Sequence, residues 1–166
     1  MLIQMKVKGL TMDPLTNMPI VILKDSDNKV TLPIWVGVPE ANAIMLEIDQ
    51  VATPRPMTHD LLKNVTVKLG AELVRVIIND LRDNTYFAVI ELEREGVTQQ
   101  VDSRPSDAIA LALRCNAPIF VDNTVIEQSQ LDLITPEESE DPEGEAGEVD
   151  EWLESLKPED FGKYKM

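Results

Sequence analysis

Two short stretches concentrate the polar chemistry of this chain: R-P-M-T-H-D at residues 55–60 and D-S-R-P-S-D at residues 102–107. Both contain Arg-Pro. A residue before proline is biased to extended backbone, so each arginine is expected just outside a helix start, where unpaired N–H groups and the helix dipole already favour an anion. Brought to one cleft, Arg55 and Arg104 would clamp a phosphate, with Thr58 and Ser106 beside them. His59, Asp60, Asp102 and Asp107 would then be the catalytic candidates, and Glu40, Asp102 and Asp107 would offer hard oxygen ligands to Mg²⁺ or Mn²⁺. Such a set suits phosphodiester hydrolysis.

The same residues also fit plain helix capping. Thr58 suits an N-cap and Asp60 a first turn; Pro105 suits the first helical position, with Ser106 and Asp107 in the turn it opens. The arginines then need only pair with Asp102 or Glu40. No two of these carboxylates have a spacing diagnostic of a metal site, so the choice turns on whether the two helix starts face one cleft.

Other chemistries find little support. His59 is the only histidine and Cys115 the only cysteine, which disfavours a zinc site, rules out an intrachain disulfide and leaves Cys115 as a small buried residue. There is no phosphate-binding P-loop, no G-x-G-x-x-G and no G-x-S-x-G.

The elements that must position these residues follow from periodicity. Alternation predicts strands over residues 2–10, 19–23 and 30–36, then 72–78, 86–93 and 97–101, with turns at Asp25-Ser26-Asp27-Asn28, Asp83-Asn84 and Glu95-Gly96. They read as two meanders. Helical spacing covers residues 40–50, with Ala41, Ile44, Met45 and Ile48 on one stripe, and residues 58–69, with Leu61, Leu62, Val65 and Leu69. Residues 105–114 are apolar on every side, as a central buried helix would be, and residues 118–121 begin another strand. Trp35, ending L-P-I-W-V, is expected in the core or at a subunit contact.

Over 166 residues the net charge is −15, but residues 135–166 carry 12 acidic side chains against 3 lysines, leaving the remainder only mildly acidic. An acidic chain has no general attraction for nucleic acid, so contact with a phosphate backbone must be local. P-E-E-S-E-D-P-E-G-E-A-G-E reads as a disordered acidic linker. Beyond it Val149, Trp152, Leu153 and Leu156 fall at helical spacing, a short amphipathic tail expected to dock on its own core, a sister subunit or a protein partner. No apolar run approaches the ~20 residues that span a bilayer, and the chain reads as cytoplasmic, without a membrane segment.

Four blocks in order, P-I-W-V-G-V-P-E-A-N-A-I, T-P-R-P-M-T-H-D-L-L, L-R-D-N-T-Y-F-A and D-S-R-P-S-D-A-I-A-L-A-L-R, resemble the bifunctional nuclease domain, a compact α+β domain of bacterial proteins that also occurs in plant nucleases. The resemblance covers residues 1–134 and sets residues 135–166 apart as linker and tail. It implies hydrolysis of RNA and DNA, and Glu40, Arg55, Thr58, His59, Asp60, Asp102, Arg104, Ser106 and Asp107 match the family's polar positions. Asn84 replaces the usual turn glycine, and the acidic tail replaces the extra module of plant members. The expectation is an α+β fold with mixed or antiparallel sheets and about three core helices, acting as a metal-assisted nuclease. The rival is a non-enzymatic homo-oligomeric adaptor whose tail contacts a protein.

Overall fold

The computed structural model describes residues 1–134. The acidic linker and the Trp152 helix lie outside the described residues.

Strands β1 (Leu2–Met12), β2 (Pro19–Asp25) and β3 (Thr31–Trp35) form one antiparallel meander, and β4 (Glu72–Arg82), β5 (Thr85–Arg94) and β6 (Val97–Ser103) form the other. Tight turns fix the second. Asp83 and Asn84 have φ of 48° and 57°, and Glu95 and Gly96 have φ of 52° and 76°, the left-handed pair that matches hairpin twist. Asn84 thus tolerates the conformation that a glycine would otherwise supply.

The meanders are halves of one sheet. Strand β7 (Ile119–Asp122) pairs antiparallel with β1, Ile3 opposite Val121, and parallel with β4, Val76 opposite Ile119. The result is a seven-stranded mixed sheet of order β3-β2-β1-β7-β4-β5-β6.

Helices α1 (Val38–Ile48), α2 (Thr58–Lys68) and α3 (Pro105–Cys115) pack together, with α3 between the other two and against β4 and β5. Ala108 to Ala112 of α3 are all buried, so the run of apolar residues on every side reflects a helix enclosed by others and by the sheet. It ends where Asn116 adopts a left-handed φ of 51°. A further helix, α4 (Asn123–Ile134), was not legible from periodicity; Asp122 starts it by accepting hydrogen bonds from the Thr124 amide at 2.9 Å and hydroxyl at 2.8 Å, and it buries Val125 and Ile126.

Two side-chain expectations need correction. The α2 stripe faces outward: Leu61, Leu62, Val65 and Leu69 are 43–62% exposed, because α2 seats the other side of its axis on α3 and buries only His59. Trp35 is 43% exposed, which removes the core and leaves a subunit contact as its expected place; its indole N–H donates to Asp13 Oδ2 at 2.9 Å. Cys115 is half-buried, and that burial pushes its thiol above the ordinary value.

Candidate functional site

Three helix starts meet at one cleft. Glu40 lies in the first turn of α1, Thr58 and His59 in the first turn of α2, and Arg104 is the N-cap of α3 with Asp107 in its first turn. Glu40, Thr58, His59, Arg104 and Asp107 line a cleft of about 380 Å³, together with Pro39, Asn42 and Leu46 of α1. The helix dipoles behind these starts favour an anion there.

Arg104 is the hub. Its backbone is extended, φ −70° and ψ 144°, as a residue before proline must be, which turns the side chain back across the opening of α3. The guanidinium donates from Nε to Asp107 Oδ2 at 2.8 Å and from Nη2 to Glu40 Oε1 at 2.6 Å, tying α3 to α1. The side chain is still 66% exposed, so part of its donor fork faces solvent. Gly37, the N-cap of α1, makes room for this arrangement: a Cβ there would collide with Glu40 Oε2.

His59 completes the bridge, its Nε2 lying 2.9 Å from Asp107 Oδ1. Burial pushes the Asp107 carboxyl up, but hydrogen bonds from Arg104 and His59 and their charges outweigh it and hold the group below its ordinary value. An ionised Asp107 can only accept, so His59 Nε2–H is the donor of this hydrogen bond.

Asp60 has a different task. Its Oδ2 accepts from the Met57 amide at 2.8 Å and its Oδ1 from Arg114 Nε at 2.6 Å. Met57, not Thr58, is therefore the N-cap of α2, and Asp60 is committed to holding that helix start. Burial raises its carboxyl, but the Met57 amide and Arg114 more than offset this and leave it lowered.

Arg114, not singled out in the sequence reading, is 4% exposed and also donates to Ala110 O and Ala43 O, each at 2.9 Å. It locks all three helices behind the cleft. Its signal was present in the sequence, a charged residue closing an otherwise apolar helix seven positions after Asp107.

The remaining candidates lie elsewhere. Ser106 is buried in the first turn of α3 and lines a second, smaller cavity. Arg55 is exposed in the loop before α2 and does not line the cleft, so the expected two-arginine clamp has one member in place. Asp102 is exposed on β6, opposite Val89, and its carboxylate makes no hydrogen bond or ion pair among the described residues. The expected metal set of Glu40, Asp102 and Asp107 is accordingly not gathered: among the described residues no three His, Cys, Asp or Glu side chains are placed to hold an ion, and Glu40 and Asp107 instead face Arg104.

A single mixed sheet with three helix starts converging on an arginine between carboxylates defines an α+β domain. The chain belongs to the bifunctional nuclease domain family, whose sequence profile matches residues 21–133. An uncharacterized protein of Mycobacterium tuberculosis is 37% identical over 164 residues, covering 95% of this chain and 97% of that relative. Bifunctional nuclease 2 of Oryza sativa subsp. japonica is 32% identical over 122 residues, 71% of this chain and 38% of its own. Bifunctional nuclease 1 of Arabidopsis thaliana is 33% identical over 107 residues, 62% of this chain and 33% of its own. The chain thus spans nearly the whole mycobacterial relative but well under half of these plant ones.

Proposed function

We propose that this chain hydrolyses phosphodiester bonds in RNA or DNA at the cleft of Glu40, His59, Arg104 and Asp107. The observation that carries the reading is Arg104, held by carboxylates of two helices at the point where three helix starts converge. A phosphate there meets the exposed edge of the guanidinium and the helix dipoles, which stabilise charge developing on its oxygens. The contact must be local, because the chain as a whole carries −15 and Glu40 and Asp107 already balance much of the Arg104 charge.

His59 supplies the proton traffic. With Nε2–H given to Asp107, Nδ1 takes a proton from the attacking water as the new P–O bond forms and the ester P–O bond breaks. The same proton is then returned to the departing alkoxide. Water as nucleophile serves RNA and DNA alike, since DNA has no 2′-hydroxyl.

Mg²⁺ or Mn²⁺ belonged to the expected site, but among the described residues Glu40, Asp102 and Asp107 are not gathered into a ligand set for either. Highly purified protein incubated with labelled single-stranded RNA and DNA, in Mg²⁺, Mn²⁺ or EDTA, tests the activity and reads any metal requirement directly. Defined cleavage products that co-purify with the chain support the proposal; intact strands under every condition refute it.

A second reading, a homo-oligomer, is favoured by the outward α2 stripe, because a continuous apolar helix face is unusual on a monomer surface. Oligomerisation is compatible with catalysis, since the stripe is distinct from the cleft lining. The proposed protein partner of the tail concerns residues 135–166, outside the described region. Among the described residues no helix is long and apolar enough to cross a membrane.

A further inference from the structure

Arg104 lines two cavities, not one. Besides the acidic cleft it borders a neighbouring hollow of about 260 Å³ formed by Trp35, Tyr86, Asn84 and Ser106 with the backbone around Gly37. The chain has 2 tryptophans and 2 tyrosines, and Trp35 and Tyr86 are the ones that fall among the described residues. Both line this hollow. Trp35 is 43% exposed, yet its indole is anchored through the bond to Asp13, which holds that carboxyl down at about 2 and so keeps it an acceptor at any physiological pH. With its single N–H committed, the indole offers the hollow only ring surface.

We propose that this hollow is a nucleobase subsite, taking the base next to the phosphate held at Arg104 and thereby selecting single-stranded nucleic acid. The inference rests on the nuclease reading and adds the substrate form to it. A base and its phosphate are separated by one sugar, and the two cavities share the Arg104 wall, so one nucleotide can place its phosphate in the cleft and its base in the hollow. Entry requires an unstacked, unpaired base, and stacking on aromatic side chains is indifferent to which base it is. This also reconciles binding with an acidic chain: the stacking contribution is not screened by salt or opposed by net charge in the way a phosphate contact is.

The test uses the full chain carrying Trp152→Phe, leaving Trp35 as the sole tryptophan reporter. Its fluorescence is followed in stopped flow, ahead of turnover, on mixing with a short oligothymidylate or with an abasic strand of the same length and phosphate count. The expected result is quenching by the oligothymidylate and about tenfold tighter binding than the abasic strand. Trp35→Phe retains most of that preference and Trp35→Leu abolishes it, both read by strand competition. Equal affinity for the two strands overturns the subsite and leaves the nuclease reading intact. Binding of neither strand overturns both. Because the decisive comparison varies the ligand, it stands even if Trp35→Leu fails to fold.

Discussion

His59 Nε2 lies 2.9 Å from Asp107 Oδ1, joining the first turn of α2 to the first turn of α3 across 48 positions of sequence. Asp107 is held below its ordinary 3.8 because, although burial raises it, Arg104 and His59 favour the charged form; Asp60 is lowered in the same sense by the Met57 amide and Arg114. A carboxyl lowered by folding contributes stability that is present above the unfolded value and lost as pH falls through the folded one. Urea midpoints of the wild type should therefore fall below about pH 4. Asp107→Asn should be the less stable protein at pH 7, with the gap closing in acid; a constant gap from pH 7 to pH 3 would mean that Asp107 is not the group responsible.

Arg114 bonds to Asp60, Ala43 and Ala110 from a nearly buried position. Arg114→Met should cost about 3 kcal/mol in denaturant unfolding, because it strips Asp60 Oδ1 of its charged partner and removes a second donor from two helix carbonyls. Arg114→Lys should recover little of it, since an ammonium cannot span the three directions of a guanidinium fork.

Gly37→Ala tests how Glu40 is placed. Gly37 has φ −70°, which alanine adopts freely, so the added Cβ acts only by displacing Glu40 Oε2. The expected outcome is a melting temperature within a few degrees of wild type and a roughly tenfold lower kcat, as a guanidinium that has lost one anchor presents itself less accurately. A large fall in melting temperature would show that the glycine serves the fold instead.

The outward stripe of α2 makes its own prediction. Paired substitution Leu61→Lys with Val65→Glu should leave the melting temperature nearly unchanged, since both side chains are exposed, and should lower the molar mass read by light scattering if this face joins copies. An unchanged mass would remove α2 as the contact.

Local chemistry made much of this architecture legible. The left-handed pairs at Asp83-Asn84 and Glu95-Gly96 marked their hairpins, and the apolar run after Pro105 marked a helix enclosed on all sides. The order of strands was not legible, because β7 joins the two meanders through pairings more than forty residues apart, and no local pattern encodes a partner. Helix α4 escaped because N-T-V-I-E-Q-S-Q has only a short apolar pair, and its start depends on an Asx contact at Asp122. Periodicity found α2 but implied the wrong face, since a stripe reports amphipathicity and not what it packs against. At the site, Glu40, His59, Arg104 and Asp107 were readable from residue type, and the structure brings them together. Asp102 and Arg55 lie outside the cleft, and Arg114 and Gly37 matter only through contacts with distant residues.

The proposed hydrolysis belongs to one cleft, built from three helix starts around Arg104. Its most direct test is the cleavage rate of labelled single-stranded RNA and DNA by wild type beside Arg104→Ala and Asp107→Asn, each shown by circular dichroism to be folded. A loss of about 10²-fold or more in kcat/KM is expected for each variant, with identical product ends wherever residual cleavage remains. Undiminished cleavage by both folded variants would contradict it and return these residues to the role of helix caps.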